Sequence, residues 1–174
     1  MGKPPQTARF DAIIALGSNI GDKRANIARA IELLTEAGDI RLLARSRDYR
    51  TPPWGNTAQD WFVNACIAVE SDLAPRALLE RCLGTERRMG RVRTQKWGPR
   101  VIDLDVLHVE GAELDEPDLV LPHPRITERA FVLAPLVDIA PGLVLSGRRA
   151  DAWLAAIDRE GVEAMPGEPA TTAK

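Results

Sequence analysis

Cysteine is nearly absent. Only Cys66 and Cys82 occur in 174 residues, with neither the close spacing of a metal site nor the even set of a disulfide framework. Both read as small buried apolar residues in a reducing compartment. No apolar run approaches the ~20 residues a membrane-spanning helix needs. The N-terminal MGKPPQTARF has no signal-peptide core, so a cytoplasmic location without membrane contact is the expectation. Basic excess is missing too: a net charge of −2 and a pI near 5.8 exclude a general polyanion binder, so no nucleic-acid partner is expected and phosphate recognition has to be local. There is no internal repeat and no interdomain linker. What remains, 45% hydrophobic and 28% charged, is the composition of one globular domain with a real core. Residues 1–160 read as that domain, and 161–174, GVEAMPGEPATTAK, as a disordered tail by composition.

The near-neutral total hides a sharp split around residues 90–108, GRVRTQKWGPRVIDLDVLH. Residues 81–100 carry seven basic side chains against the single acid Glu86, and 101–118 carry seven acids without Lys or Arg. Alternation from Val101 to His108 predicts a strand with Ile102, Leu104 and Val106 on the buried face. Asp103 and Asp105 then share the other face, roughly 6.6 Å apart at Cα, close enough to bracket a hard cation. Two like charges so placed need a counter-charge. Arginines beside a carboxylate pair suit a magnesium-bound polyphosphate, with guanidinium on phosphate oxygens and carboxylate on metal. A basic helix end beside a solvated acidic edge is the plainer alternative.

Along the chain, FDAIIAL (10–16) reads as a buried strand turning at Gly17-Ser18-Asn19 into a helix from Asp22, with Ile27, Ile31 and Leu34 on one face and Gly38 as its stop. The turn GSNIGDK lacks the GxxxxGK[ST] pattern of a P-loop, so it is either a weak anion site or plain turn chemistry. Residues 40–49 predict a second strand, stopped by Thr51-Pro52-Pro53-Trp54-Gly55. That stiff loop offers an aromatic wall for a flat ligand or an anchored structural turn. WFVNACIAVES (61–71) is the clearest strand, and Asn64 within it has either a heterocycle edge or the backbone to satisfy its amide. Asp72 and Pro75 open the next helix, which Gly90 ends. Residues 91–99 form a cationic loop with Trp97, suited to a lid over a nucleotide. Residues 114–120 look irregular, and His123, held between two prolines, is a phosphate contact or a structural histidine. Helical periodicity resumes over 126–137 around Pro135, and a short helix is expected over 150–158.

The motifs LGSNIGD, YRTPPWG, FVNACIAVE, GRVRTQKWGPRVIDLDVL and LPHPRITERAFVLAPL, in this order over residues 12–141, resemble the 6-hydroxymethyl-7,8-dihydropterin pyrophosphokinases. The resemblance implies an α/β (α+β) fold, with a ferredoxin-like βαββαβ core, an antiparallel sheet and added C-terminal helices. It also implies an ATP-dependent diphosphotransferase of folate biosynthesis, a monomer that moves pyrophosphate from ATP to the pterin hydroxymethyl group and releases AMP. Asp103 and Asp105 would bind two magnesium ions. Phe62 and Phe131 would sandwich the pterin, whose edge would meet Asn64 and the backbone of Thr51, Pro52, Pro53 and Trp54. Arg91, Arg93 and Arg100 would neutralise phosphate, the first two as catalytic residues. Trp97 would close the lid over both substrates, and Glu86, Val106, His123 and Arg129 would contact the nucleotide. The chain departs from family patterns at Phe62 (tyrosine in some members), at Trp54, at Leu83 and in a loop one residue shorter over 91–97. No general base stands out. A different magnesium enzyme of nucleotidyl or glycosyl transfer, or a binding module without chemistry, are the competing readings.

Overall fold

The computed structural model describes residues 12–53, 58–91 and 99–167 and the backbone of 171–172. The first apolar run forms strand β1, Ala12–Ser18, buried along nearly its whole length. Helix α1, Lys23–Thr35, starts where the Asp22 carboxylate accepts the Ala25 backbone N–H at 3.1 Å. Its buried Ile27, Ala30, Ile31 and Leu34 keep helical spacing.

The predicted second strand is split into β2, Ile40–Arg45, and β3, Tyr49–Thr51. Ser46 makes the break without losing pairing: its N–H donates to the Cys66 carbonyl and its hydroxyl accepts the Cys66 N–H, both at 2.9 Å. Strand β4, Phe62–Ser71, follows, and then helix α2, Pro75–Arg88, with proline at its first position. Asp72 does not cap that helix as expected. Ala74 holds the cap position, and Asp72 pairs instead with Arg41 of β2. Strand β5, Asp103–Val109, completes the βαββαβ order.

All pairings are antiparallel, with β1 central between β4 and β5, and with β2 and β3 sharing the far side of β4. This is the expected ferredoxin-like arrangement. One face packs α1 and α2 against Ile14, Leu16, Val63, Ile67, Leu104 and Val106. The other takes α3, Ala130–Ile139, over Ile13, Tyr49, Cys66 and Leu107. The cysteines therefore lie buried on opposite faces, Cys66 beneath α3 and Cys82 on α2, and both stay free.

Residues 114–120, expected to be irregular, instead form the hairpin β6, Leu114–Glu116, and β7, Leu119–Leu121. Arg76 on α2 pairs with both Glu116 and Asp118 there, so part of the acidic run is a clasp. The basic run is likewise part structural: Arg81 pairs with Asp39, and Arg88 with Glu36. A 3-10 turn, Ile126–Glu128, precedes α3, and the small hairpin β8, Val144–Leu145, with β9, Arg148–Arg149, leads into α4, Ala150–Ala156. The segment that composition marks as disordered adds β10, Glu163–Ala164, to β3, and β11, Thr171–Thr172, to β2. Short edge strands leave backbone donors and acceptors open, and the segment pairs with those groups. Among the described residues, no helix is long and apolar enough to cross a membrane.

Candidate active site

Register alone puts the candidate residues on one face. Gly17 of β1 faces Asn64 on one side and Asp103 on the other, and Ala15 likewise faces Cys66 and Asp105. One strand further, Tyr49 faces Asn64, and Thr51 faces Phe62. Residues two apart point the same way, so Thr51, Phe62, Asn64, Asp103 and Asp105 stand over a floor of Gly17 and Ala15. At a strand spacing near 4.8 Å, Asn64 and Asp103 lie about 10 Å apart at Cα, with the glycine between them.

The start of α3 closes this hollow with Arg129, Phe131 and Val132, giving a cleft of about 610 Å³ with its mouth included. It gathers Thr51, Pro52, Phe62, Asn64, Arg100, Asp103, Asp105, Arg129 and Phe131 from the expected set. Pro53, Glu86, Arg91, Val106 and His123 do not line it. Trp54, Arg93 and Trp97 lie outside the described residues.

The two carboxylates differ. Asp103 accepts Arg91 on one oxygen and Arg100 on the other, both at 2.7 Å. Asp105 has no hydrogen-bond donor among the described residues. Burial pushes its pKa up, the negative charges of Asp103 and Glu86 push further, and Arg129 and Arg100 only partly offset them. A half-buried acid beside two others and without a donor among the described residues is a fitting ligand for a hard divalent cation. Among the described residues no cluster of three or more His, Cys, Asp or Glu forms a full cage. A metal on this pair therefore takes water or a ligand's oxygens for its remaining positions, as magnesium does.

Glu86, expected to contact the nucleotide, stands away from the cleft lining. It is buried on α2, pairs with Arg91, and accepts the Leu104 backbone N–H at 3.4 Å. It holds Arg91 behind Asp103. The Val106 side chain packs in the core on the face opposite the carboxylates, so a nucleotide can meet only its backbone. His123 is anchored by its own N–H on the Leu107 carbonyl at 2.8 Å. Its pKa is lowered by burial first, then by Arg129 and Arg125. The Arg125 backbone N–H meets Nδ1 at 3.2 Å, so the neutral ring carries its proton on Nε2, as a donor. Burial also lowers the pKa of Arg129, against the pull of Asp105.

Three residues escaped the sequence reading. Asn19 is buried at the turn after β1, where its Oδ1 accepts the Arg100 N–H at 2.7 Å and its own N–H donates to the Arg100 carbonyl at 3.0 Å. Its Nδ2 donates to Gln59 Oε1 at 3.0 Å and to the Asp60 carbonyl at 3.2 Å. One amide thus ties Arg100, ahead of β5, to the segment preceding β4. Gln59, which also lines the cleft, and the floor residue Gly17 are the others. The available signal was the Gly-Ser-Asn turn, which reads more readily as turn chemistry.

A family model described as 7,8-dihydro-6-hydroxymethylpterin-pyrophosphokinase (HPPK) matches residues 13–141. Curated relatives named 2-amino-4-hydroxy-6-hydroxymethyldihydropteridine pyrophosphokinase include one from Methylorubrum extorquens, 55% identical over 87% of this chain and 96% of its own. Another, from Pseudomonas aeruginosa, is 43% identical over 88% and 96%. A third, from Bacillus subtilis, is 38% identical over 87% of each. Among solved structures, an HPPK-DHPS in complex with substrates superposes with a TM-score of 0.67 at 14% identity, over 85% of this chain and 45% of that one. The Plasmodium falciparum HPPK-DHPS gives 0.63 at 13%, over 86% and 45%. This chain thus spans less than half of those longer proteins, and the likeness to them concerns the fold. On the family match and the curated relatives, the chain belongs to the 7,8-dihydro-6-hydroxymethylpterin-pyrophosphokinase family.

Proposed function

We propose that this protein transfers pyrophosphate from ATP to the hydroxymethyl group of 6-hydroxymethyl-7,8-dihydropterin and releases AMP, a step of folate biosynthesis. The observation that carries the reading is one cleft lined by Phe62, Phe131 and Asn64 together with the Asp103–Asp105 pair and Arg100. A flat, polar heterocycle suits the rings and the amide, which can cover its faces and meet its edge. A triphosphate suits the carboxylate pair and its arginine.

Asn64 donates to the Thr51 hydroxyl at 2.7 Å, which sets the amide plane before a ligand arrives. Phe62 and Phe131 would hold the ring so that its hydroxymethyl oxygen points toward the carboxylates. Asp103 and Asp105 would hold two magnesium ions. When bound, the metal neutralises the phosphates and lowers the barrier to attack on them. Arg91, Arg93 and Arg100 would neutralise phosphate oxygens, with Trp97 closing over both substrates and Pro53 and Trp54 completing the pterin wall. His123, with its Nε2 proton, and Arg129 would donate to the nucleotide, and the Val106 backbone would border it.

In the transfer, the hydroxymethyl oxygen bonds to the β-phosphorus of ATP, and the bond from that phosphorus to the α–β bridging oxygen breaks. AMP leaves with the bridging oxygen and its electron pair, and the hydroxyl proton passes to solvent. Catalysis is then positional and electrostatic. We place the enzyme in the cytoplasm as a monomer acting on small molecules, without nucleic-acid or membrane partners.

The test is incubation with ATP, magnesium and the hydroxymethyl dihydropterin, with nucleotide products resolved by chromatography. AMP with pterin pyrophosphate supports the proposal. ADP or free pyrophosphate would point to another magnesium-dependent transferase, and no turnover despite binding would leave a binding module.

A further inference from the structure

Strand β3 is three residues long and only the two-residue β10 lies outside it in the sheet, yet its last residue, Thr51, holds the amide of Asn64. Something must stiffen so short a strand. Behind it, Glu163 and Ala164 pair with Arg50 and Tyr49. The Met165 N–H then donates to the Asp48 carbonyl at 2.8 Å. One guanidinium joins the pieces: Arg24 of α1 donates through Nη1 to the Pro166 carbonyl and through Nε to Asp48 Oδ2, each at 2.8 Å.

The segment is anchored on both sides of the sheet, since Met165 packs against the α1–α2 core and Val162 against the α3 core. At its start, Gly161 has φ +79°, and a Cβ there would sit 3.3 Å from Cγ and Cδ of Pro52. Pro52 itself lines the cleft. Tail, proline and cleft are therefore in direct succession, whereas Asp103 is separated from β3 by β4 and β1.

We infer that residues 161–167 act as a strap that positions residues 51–53, so that the tail sets affinity for the pterin and not for the nucleotide. The inference rests on the pterin reading of the cleft. Strap residues touch no substrate; they act through Thr51 and Pro52. A strand supported on its outer edge loses less conformational freedom when the ligand binds, which favours affinity.

The test uses the full chain with Gly161→Ala, which presses on Pro52 and strains the turn, and with Arg24→Ala, which removes two hydrogen bonds and leaves the backbone unaltered. Fluorescence titration with oxidised 6-hydroxymethylpterin reads the first site, and a non-hydrolysable ATP analogue with magnesium reads the second. The pterin Kd should rise about tenfold, equivalent to about 1.4 kcal/mol, with the analogue's Kd unchanged. Should Gly161→Ala fail to fold, Arg24→Ala decides the matter. Unchanged pterin affinity, or equal weakening at both sites, overturns the strap. Wild-type chain that binds no pterin would overturn the strap and the proposed function together, whereas wild-type binding with insensitive variants removes the strap alone.

Discussion

Gly17 and Asn64 are cross-strand partners, and a Cβ on Gly17 would stand 2.7 Å from the amide oxygen of Asn64. The glycine is required by this approach, because any side chain on the cleft floor would displace the amide that Thr51 orients from the other side. Gly17→Ala should therefore keep the fold and weaken pterin binding by about tenfold or more, at least 1.4 kcal/mol. Calorimetric titration should show nucleotide affinity less affected. Unaltered pterin affinity would separate Asn64 from the ligand.

The surroundings of Asp105 disfavour its charge, through burial and the neighbouring Asp103 and Glu86. Asp105→Asn should raise the midpoint of thermal unfolding measured without magnesium near neutral pH, while turnover falls by at least about a hundredfold. A variant that keeps turnover would remove the metal assignment.

The same carboxylate gives a pH dependence with a definite sign. Its pKa lies above that of the unfolded chain. Between the ordinary carboxylate range and neutrality the folded form thus binds more protons, and this group's contribution to stability falls as pH rises. Magnesium requires the anion and competes with that proton. The stabilisation by added magnesium should be larger near about pH 8 than near about pH 6, as differential scanning calorimetry can measure. A magnesium shift that is equal or larger at the lower pH would contradict the assignment.

Arg91 and Arg100 both reach Asp103, but from different surroundings. The Arg91 side chain is 9% exposed and its partner Glu86 3%, whereas Arg100 is 20% exposed. Arg91→Ala removes the guanidinium paired with the buried Glu86 and should cost more than about 1 kcal/mol of stability. Arg100→Ala should cost under about 1 kcal/mol. Both should slow transfer in single-turnover assays. Equal denaturation midpoints for the two variants would mean that the Glu86–Arg91 pair carries no structural role.

Asn19 donates to one loop and accepts from the other, so its two functions can be separated. Asn19→Asp retains an acceptor for the Arg100 N–H but loses the donor to Gln59 and Asp60. KM for the pterin should rise more than KM for ATP, and Asn19→Ala should raise both. A rise confined to ATP in the aspartate variant would reverse the assignment of the two sides.

Periodicity carries β1, β4 and β5 because each buries a regular face, and the Asp103–Asp105 pair is legible for the same reason. The β2–β3 break is not legible, because it depends on a serine hydroxyl standing in for a backbone acceptor. Edge pairing by the tail is equally silent: it uses backbone groups that every residue carries, while composition reports only how little apolar surface a segment brings. The charge split overstates the site, since Arg76, Arg81 and Arg88 find partners on neighbouring elements.

By itself the sequence determined the order of the core strands and of α1 and α2, the acidic pair with its flanking arginines, and the motifs that mark the family. These depend on neighbours within a few positions, where a period of two or of 3.6 leaves a readable trace. Only the tertiary structure decided that Gly17 separates Asn64 from Asp103, that Glu86 serves Arg91, and that Asn19 and residues 161–167 brace opposite parts of the cleft. Apart from the Glu86–Arg91 pair, which the turn after α2 brings together, those relations join positions tens of residues apart through single hydrogen bonds and close contacts, which no local pattern encodes.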